Sequence, residues 1–246
     1  MIQAIFGDAD EYDLLHGDIV EDIPFFVDLA ERVGGPVLEL GCGTGRISLP
    51  IARKGVEVVG MDISLPMVRK AVERAGEEDL PVMCFVGDMR SFALKKRFPL
   101  IIVPFNAFSH LYTLEDVEGF FRSSLSALGD GGKLVIDVFN PDADILRGSP
   151  VRRLVGSYID KEGREVVVYG TNWYDAFTQV NHLKWYFTRG DEQWIREFTM
   201  RVFFPQEIVN YARLMGFRVE AVYGDYDGGE ITASSPRIVL ILSKDN

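Results

Sequence analysis

Short apolar runs alternate along the first half of the chain with segments whose apolar residues recur every three to four positions. Val37–Leu40, Val56–Met61, Val82–Val86, Leu100–Pro104 and Lys133–Phe139 are short, β-branched and flanked by Gly or Asp, which predicts strands. Between them Thr44–Lys54, Ser64–Ala75 and Thr113–Leu128 carry helical spacing, and Ile19–Val33 predicts a helix ahead of the first strand. Ser64 with Pro66, and Thr113 with Asp116, supply helix starts, while Gly55, Gly76 and Gly129 stand where helices should stop. Strands alternating with helices imply a mostly parallel sheet covered on both faces.

The period changes after Asn140-Pro141. From about residue 151 to 204 it is two: Trp194, Phe198, Met200 and Val202 alternate with polar neighbours, as do Leu183, Trp185 and Phe187. Asp160–Gly163 and Arg189–Glu192 read as hairpin turns. This predicts a three- or four-stranded antiparallel insert that holds all three tryptophans. Pro205 then opens a helix to Met215, with Gly216 as its stop, and Phe217–Gly224 and Ile238–Ser243 read as closing strands. The expectation is one α/β domain over residues 1–246, with its core at 19–140 and 205–246 and a β insert at about 151–204.

Composition narrows the function. With 26 Lys+Arg against 37 Asp+Glu, the formal charge is −11, which disfavours a nucleic-acid partner. No apolar run approaches the ~18 residues of a membrane span. Two cysteines, Cys42 and Cys84, make no disulfide framework, and no basic-then-apolar leader opens the sequence, so a reducing, cytoplasmic setting is expected. Three dispersed histidines and the absence of H-x-x-x-H or C-x-x-C spacing predict no metal site.

The most informative stretch is VLELGCGTGR, Val37 to Arg46. A buried strand ends in Glu39-Leu40, and Gly41, Gly43 and Gly45 turn directly into a helix. Glycines let the backbone approach a ligand closely, and the bare amides of a helix start face it. A dinucleotide fingerprint would need its third glycine at Arg46, and Glu39 suits a cationic amino group better than a pyrophosphate. Asp62, 62 − 41 = 21 residues after the first glycine, ends the second strand, where a carboxylate can accept both ribose hydroxyls. Asp88 follows the third strand in CFVGDM, within reach of an adenine amino group.

This combination resembles the class I S-adenosylmethionine (SAM)-dependent methyltransferases over about residues 12–139. The resemblance implies a Rossmann-like, seven-stranded, mostly parallel sheet with helices on both faces and an antiparallel insert after the fifth strand. It implies that Glu39, Gly41, Cys42 and Gly43 meet the methionine end, that Asp62 holds the ribose, and that Ile63, Asp88 and Met89 frame the adenine. Tyr12, upstream of the first helix, and Phe105, after the fourth strand, are placed around the same cofactor. Tyr12, the segment Pro104–Leu111 and the position of the insert resemble the small-molecule branch, which includes glycine and amino-sugar N-methyltransferases.

Methyl transfer from SAM is a one-step displacement, so the enzyme chiefly aligns nucleophile, methyl and sulfur, with a base to take a proton. His110, after the fourth strand, is the candidate base; His16 and His182 are weaker ones. Asn106 either bonds a substrate or closes its turn. Nucleic-acid amino methyltransferases carry a Pro-Pro-aromatic signature after this strand, whereas here the order is Pro104-Phe105-Asn106. The aromatic insert is expected to cover the acceptor, with Trp173 and Tyr174 facing it, or to pair two copies as a homodimer. The expected reaction is transfer of a methyl group to nitrogen or oxygen of a small molecule. SAM binding without turnover, and a macromolecular acceptor, remain the alternatives.

Overall fold

The computed structural model describes residues 4–244. A short turn at Ala4–Phe6 leads into α1 (Ala9–His16) and α2 (Ile23–Val33). The core then runs β1 (Val37–Leu40), α3 (Ser48–Arg53), β2 (Val58–Asp62), α4 (Leu65–Glu77), β3 (Val82–Val86), β4 (Phe98–Val103), α5 (Leu114–Ala127) and β5 (Leu128–Phe139). After α6 (Ala143–Arg147) come β6 (Ser149–Ile159), β7 (Glu165–Asp175), β8 (Val180–Arg189) and β9 (Glu192–Arg201). The chain closes with α7 (Pro205–Leu214), β10 (Phe217–Tyr223) and β11 (Arg237–Lys244).

Seven strands form one sheet in the order β10-β11-β5-β4-β1-β2-β3, in which only β11 runs antiparallel to its neighbours. Both faces are buried, and successive residues feed opposite sides. Leu38, Ile101, Leu134 and Leu240 pack with α5 and α7, while Val37, Leu100, Val135 and Val239 pack with α2 and α3. That is why these strands read as unbroken apolar runs. The order in which strands are added reverses between β1 and β4, and open sheets of this kind offer a crevice at the strand ends there.

The insert is a four-stranded antiparallel meander, β6-β7-β8-β9. Its inner face carries Tyr158, Val166, Val168 and Phe187 against Leu15 of α1. Helix α1 is held there by polar contacts as well. Glu11 accepts from Trp194 Nε1 at 2.8 Å and Arg196 Nε at 3.0 Å. Asp8 caps its start, accepting from the amides of Asp10 and Glu11.

Two expected boundaries are corrected. Gly76 lies inside α4, which runs on to Glu77. Helix α3 begins at Ser48 rather than Thr44, because Gly41, Gly43 and Gly45 all take left-handed backbone (φ +78°, +54°, +87°) and delay the helical turn. The fourth strand of the insert and helix α1 complete the elements.

Candidate active site

The carboxyl ends of β1, β2, β3 and β4 surround a cavity of about 540 Å³, closed from the other side by α1 and the inner face of the insert. Tyr12, Glu39, Gly41, Cys42, Gly43, Asp62, Ile63, Asp88, Met89 and Phe105 all line it, as do Asn106 and His110. Residues separated by up to 98 positions therefore converge on one space.

The loop after β1 is built by hydrogen bonds to β2. The amides of Gly41 and Cys42 both donate to the Met61 carbonyl, at 2.7 and 3.1 Å. Asp62 accepts the Gly43 amide at 2.9 Å through one oxygen and the Ser64 amide at 2.8 Å through the other. A side chain at Gly41 would come within 2.6 Å of Ala107 Cβ, so the loop packs tightly on that side. At Gly43 a Cβ would meet nothing within 4 Å, leaving this backbone open for a ligand to approach.

The acidic groups differ in state. Glu39 is buried, accepts the Ser48 hydroxyl, and is pushed up to about 8 by burial. A cationic group placed beside it would restore its charge. Burial also raises Asp62, against the pull of its backbone donors. Asp88 is instead held low by a fork from Arg90, whose Nη2 lies 2.6 Å away. Arg90 also reaches Asp116, the residue that closes the capping box of α5.

Phe105 and Asn106 follow β4 in consecutive left-handed conformations, φ +50° and +65°. The Asn106 side-chain oxygen accepts the Phe139 amide at 2.7 Å and closes the turn. The Phe105 ring lies beneath the Arg46 guanidinium, 4.5 Å from its centroid, and Arg46 forks onto buried Asp22 at 2.6 Å. His110 is half-buried against Phe6, the two rings edge to face, and pushed down to about 4 by desolvation, so its imidazole is neutral.

Trp173 and Tyr174 do not line this cavity; Trp173 lines a neighbouring one that shares Tyr112, Leu183 and Phe198 with it. Side chains alternate along β7, and Trp173 stands on the outer face, its ring tilted against His182 with centroids 4.4 Å apart, while Tyr174 lies near the end of the strand. The insert reaches the cavity instead through Leu183, Trp185, Phe198 and Met200. Those residues share the apolar parity legible in the sequence. His16 also lines the cavity, between Tyr12, Phe105 and Trp185. Among the described residues no cluster of His, Cys, Asp or Glu is placed to hold a metal ion.

Residues 37–132 match the family described as methyltransferase domain. That segment is similar to methyltransferase domains. The domain's segment spans the glycine loop, Asp62 and Asp88. The cypemycin N-terminal methyltransferase of a Streptomyces species is 28% identical over 218 residues, covering 86% of this chain and 84% of the relative. Among solved structures, the CcbJ methyltransferase of Streptomyces caelestis superposes over 100% of both chains with a TM-score of 0.87 at 24% identity. SAM-bound CalS10, an amino pentose methyltransferase of Micromonospora echinaspora, superposes over 94% of this chain and 93% of its own with a TM-score of 0.73 at 20% identity. The methyltransferase fold thus extends over the insert and both closing strands. No helix among the described residues is long and apolar enough to cross a membrane.

Proposed function

We propose that this methyltransferase moves the methyl group of SAM to a nitrogen or oxygen of a small-molecule acceptor. The observation that carries the reading is the convergence of the open Gly43 backbone, buried Glu39 and the Asp62 carboxylate on one enclosed cavity. When bound, SAM supplies an electrophilic methyl on a sulfonium that is a good leaving group. In this reading Glu39 faces its amino group, Gly41, Cys42 and Gly43 its methionine end, and Asp62 its ribose hydroxyls. Ile63, Asp88 and Met89 frame the adenine, and Tyr12 and Phe105 wall the cavity at α1 and β4. The chain's own contribution is to hold the acceptor in line and exclude water, which strengthens the local electrostatics.

His110 takes the acceptor's proton. Its low value makes it a weak proton sink but keeps it unprotonated at every pH above about 5. The acidic surface supports a small acceptor over a nucleic acid. The outer face of the insert exposes Leu154, Ile159, Tyr169, Trp173 and Ile195, which supports pairing with a second copy.

Incubation with methyl-labelled SAM and pools of amines, amino sugars and hydroxylated metabolites tests the reaction. Label in a small molecule is the expected result; label only in peptide or RNA pools would reject the acceptor class. Sedimentation tests the pairing: a dimer that Trp173→Glu dissociates is expected, and a monomer at all concentrations contradicts it.

A further inference from the structure

The two left-handed residues after β4 are not glycines, and each such residue costs on the order of 1–3 kcal/mol unless its surroundings impose the conformation. The imposing group is Asp137 of β5. Its Oδ2 accepts the Phe105 amide at 2.9 Å, and its backbone carbonyl accepts the Asn106 amide at 3.1 Å. Asp137 is fully buried, and it is held in turn from the neighbouring strand β11 and the turn before it. Arg237 of β11 reaches Oδ1 with Nε at 2.8 Å, and Tyr226 donates its hydroxyl to Oδ2 at 3.0 Å. Tyr226 sits in the acidic turn between β10 and β11 and packs on Phe25 and Phe26 of α2.

We infer that Asp137, steadied by Arg237 and Tyr226, is a positioning residue: it fixes the strained Phe105 backbone so that the ring closes the cofactor cavity beneath Arg46 and beside His16. The inference rests on the cofactor reading above and adds a second layer behind it. Phe105 touches the cavity; Asp137 and Tyr226 do not. The turn between β10 and β11 is thereby tied to the cavity through one carboxylate.

Tyr226→Phe is the informative variant, since it keeps the ring packing and removes one donor. Asp137→Asn is the stronger test, but it leaves the half-buried Arg237 cation without its charge partner and threatens folding. Three measurements are made on the full chain: amide hydrogen exchange at Phe105 and Asn106, melting temperature, and calorimetric affinity for S-adenosylhomocysteine. For Tyr226→Phe the expected result is several-fold faster exchange at those two amides and affinity weakened about three- to tenfold, the worth of one net hydrogen bond. The melting temperature should fall by no more than about 4 °C. Unchanged exchange at Phe105 and Asn106 would overturn the inference. So would faster exchange with unchanged affinity, which would reduce Asp137 to a structural prop. If the unsubstituted chain gives no binding heat at all, the cofactor reading fails first and takes the inference with it; that outcome is separate because it precedes any substitution.

Discussion

Asp62 accepts the Gly43 amide at 2.9 Å, so the carboxylate that ends β2 is bonded to the glycine loop that follows β1. One side chain thus shapes the loop and stands in the cavity. Asp62→Ala removes the acceptor for both the Gly43 and Ser64 amides. Affinity for SAM should fall by about 1–3 kcal/mol, the cost of losing charge-assisted hydrogen bonds. Calorimetry checks this; an unchanged dissociation constant would remove Asp62 from the ribose.

Gly41 and Gly43 should separate stability from binding. Both have positive φ, so alanine at either carries the left-handed penalty of about 1–2 kcal/mol. Only at Gly41 does the new Cβ also meet protein, at 2.6 Å from Ala107, which adds an overpacking cost of about 1–3 kcal/mol. Gly41→Ala should therefore melt well below Gly43→Ala. Gly43→Ala should retain its fold and lose SAM binding, because its Cβ points into open space that the ligand needs. Thermal melts with and without S-adenosylhomocysteine measure both effects.

Glu39 gives the chain a pH signature. Its carboxyl sits near 8 when folded and near 4.5 when unfolded, so between those values the folded state holds the extra proton. Stability from this group therefore falls as pH rises from about 4.5 to about 8. Glu39→Gln should flatten that decline. Binding a cationic amino group beside Glu39 should expel its proton near pH 7. Calorimetry in buffers of different ionisation enthalpy should show release approaching one proton per ligand, and almost none in Glu39→Gln. Buffer-independent heats in the unsubstituted protein would contradict the arrangement.

Helix α1 closes the cavity because Glu11 bonds both Trp194 and Arg196 of the insert. Glu11→Ala should cost about 2 kcal/mol and lower the melting temperature by roughly 4–8 °C. Limited proteolysis should then cut first near α1. Equal resistance in both proteins would mean that apolar packing by Leu15 alone holds the helix.

The sheet was legible because each core strand is a β-branched run buried on both faces, and the glycine loop, Asp62 and Asp88 fall at fixed places in that rhythm. The insert's inner face was legible too, since Leu183, Trp185 and Phe187 share one parity. What the sequence hid is which insert aromatics reach the cavity. Trp173 and Trp185 are equally aromatic, and only strand register puts one outside and the other inside. Helix α1 was missed because its eight residues bury no side chain fully and carry little amphipathic pattern. The Asp137–Phe105 link joins residues 32 apart on neighbouring strands, with no local spacing to announce it.

The central claim is that this cavity binds SAM through Glu39, Gly43 and Asp62. Titrating the full chain with S-adenosylhomocysteine, and separately with NAD, measures it most directly. Saturable binding of the first that Asp62→Ala weakens, with no heat from the second, is the predicted result. Binding of NAD alone, or of neither, would contradict the account.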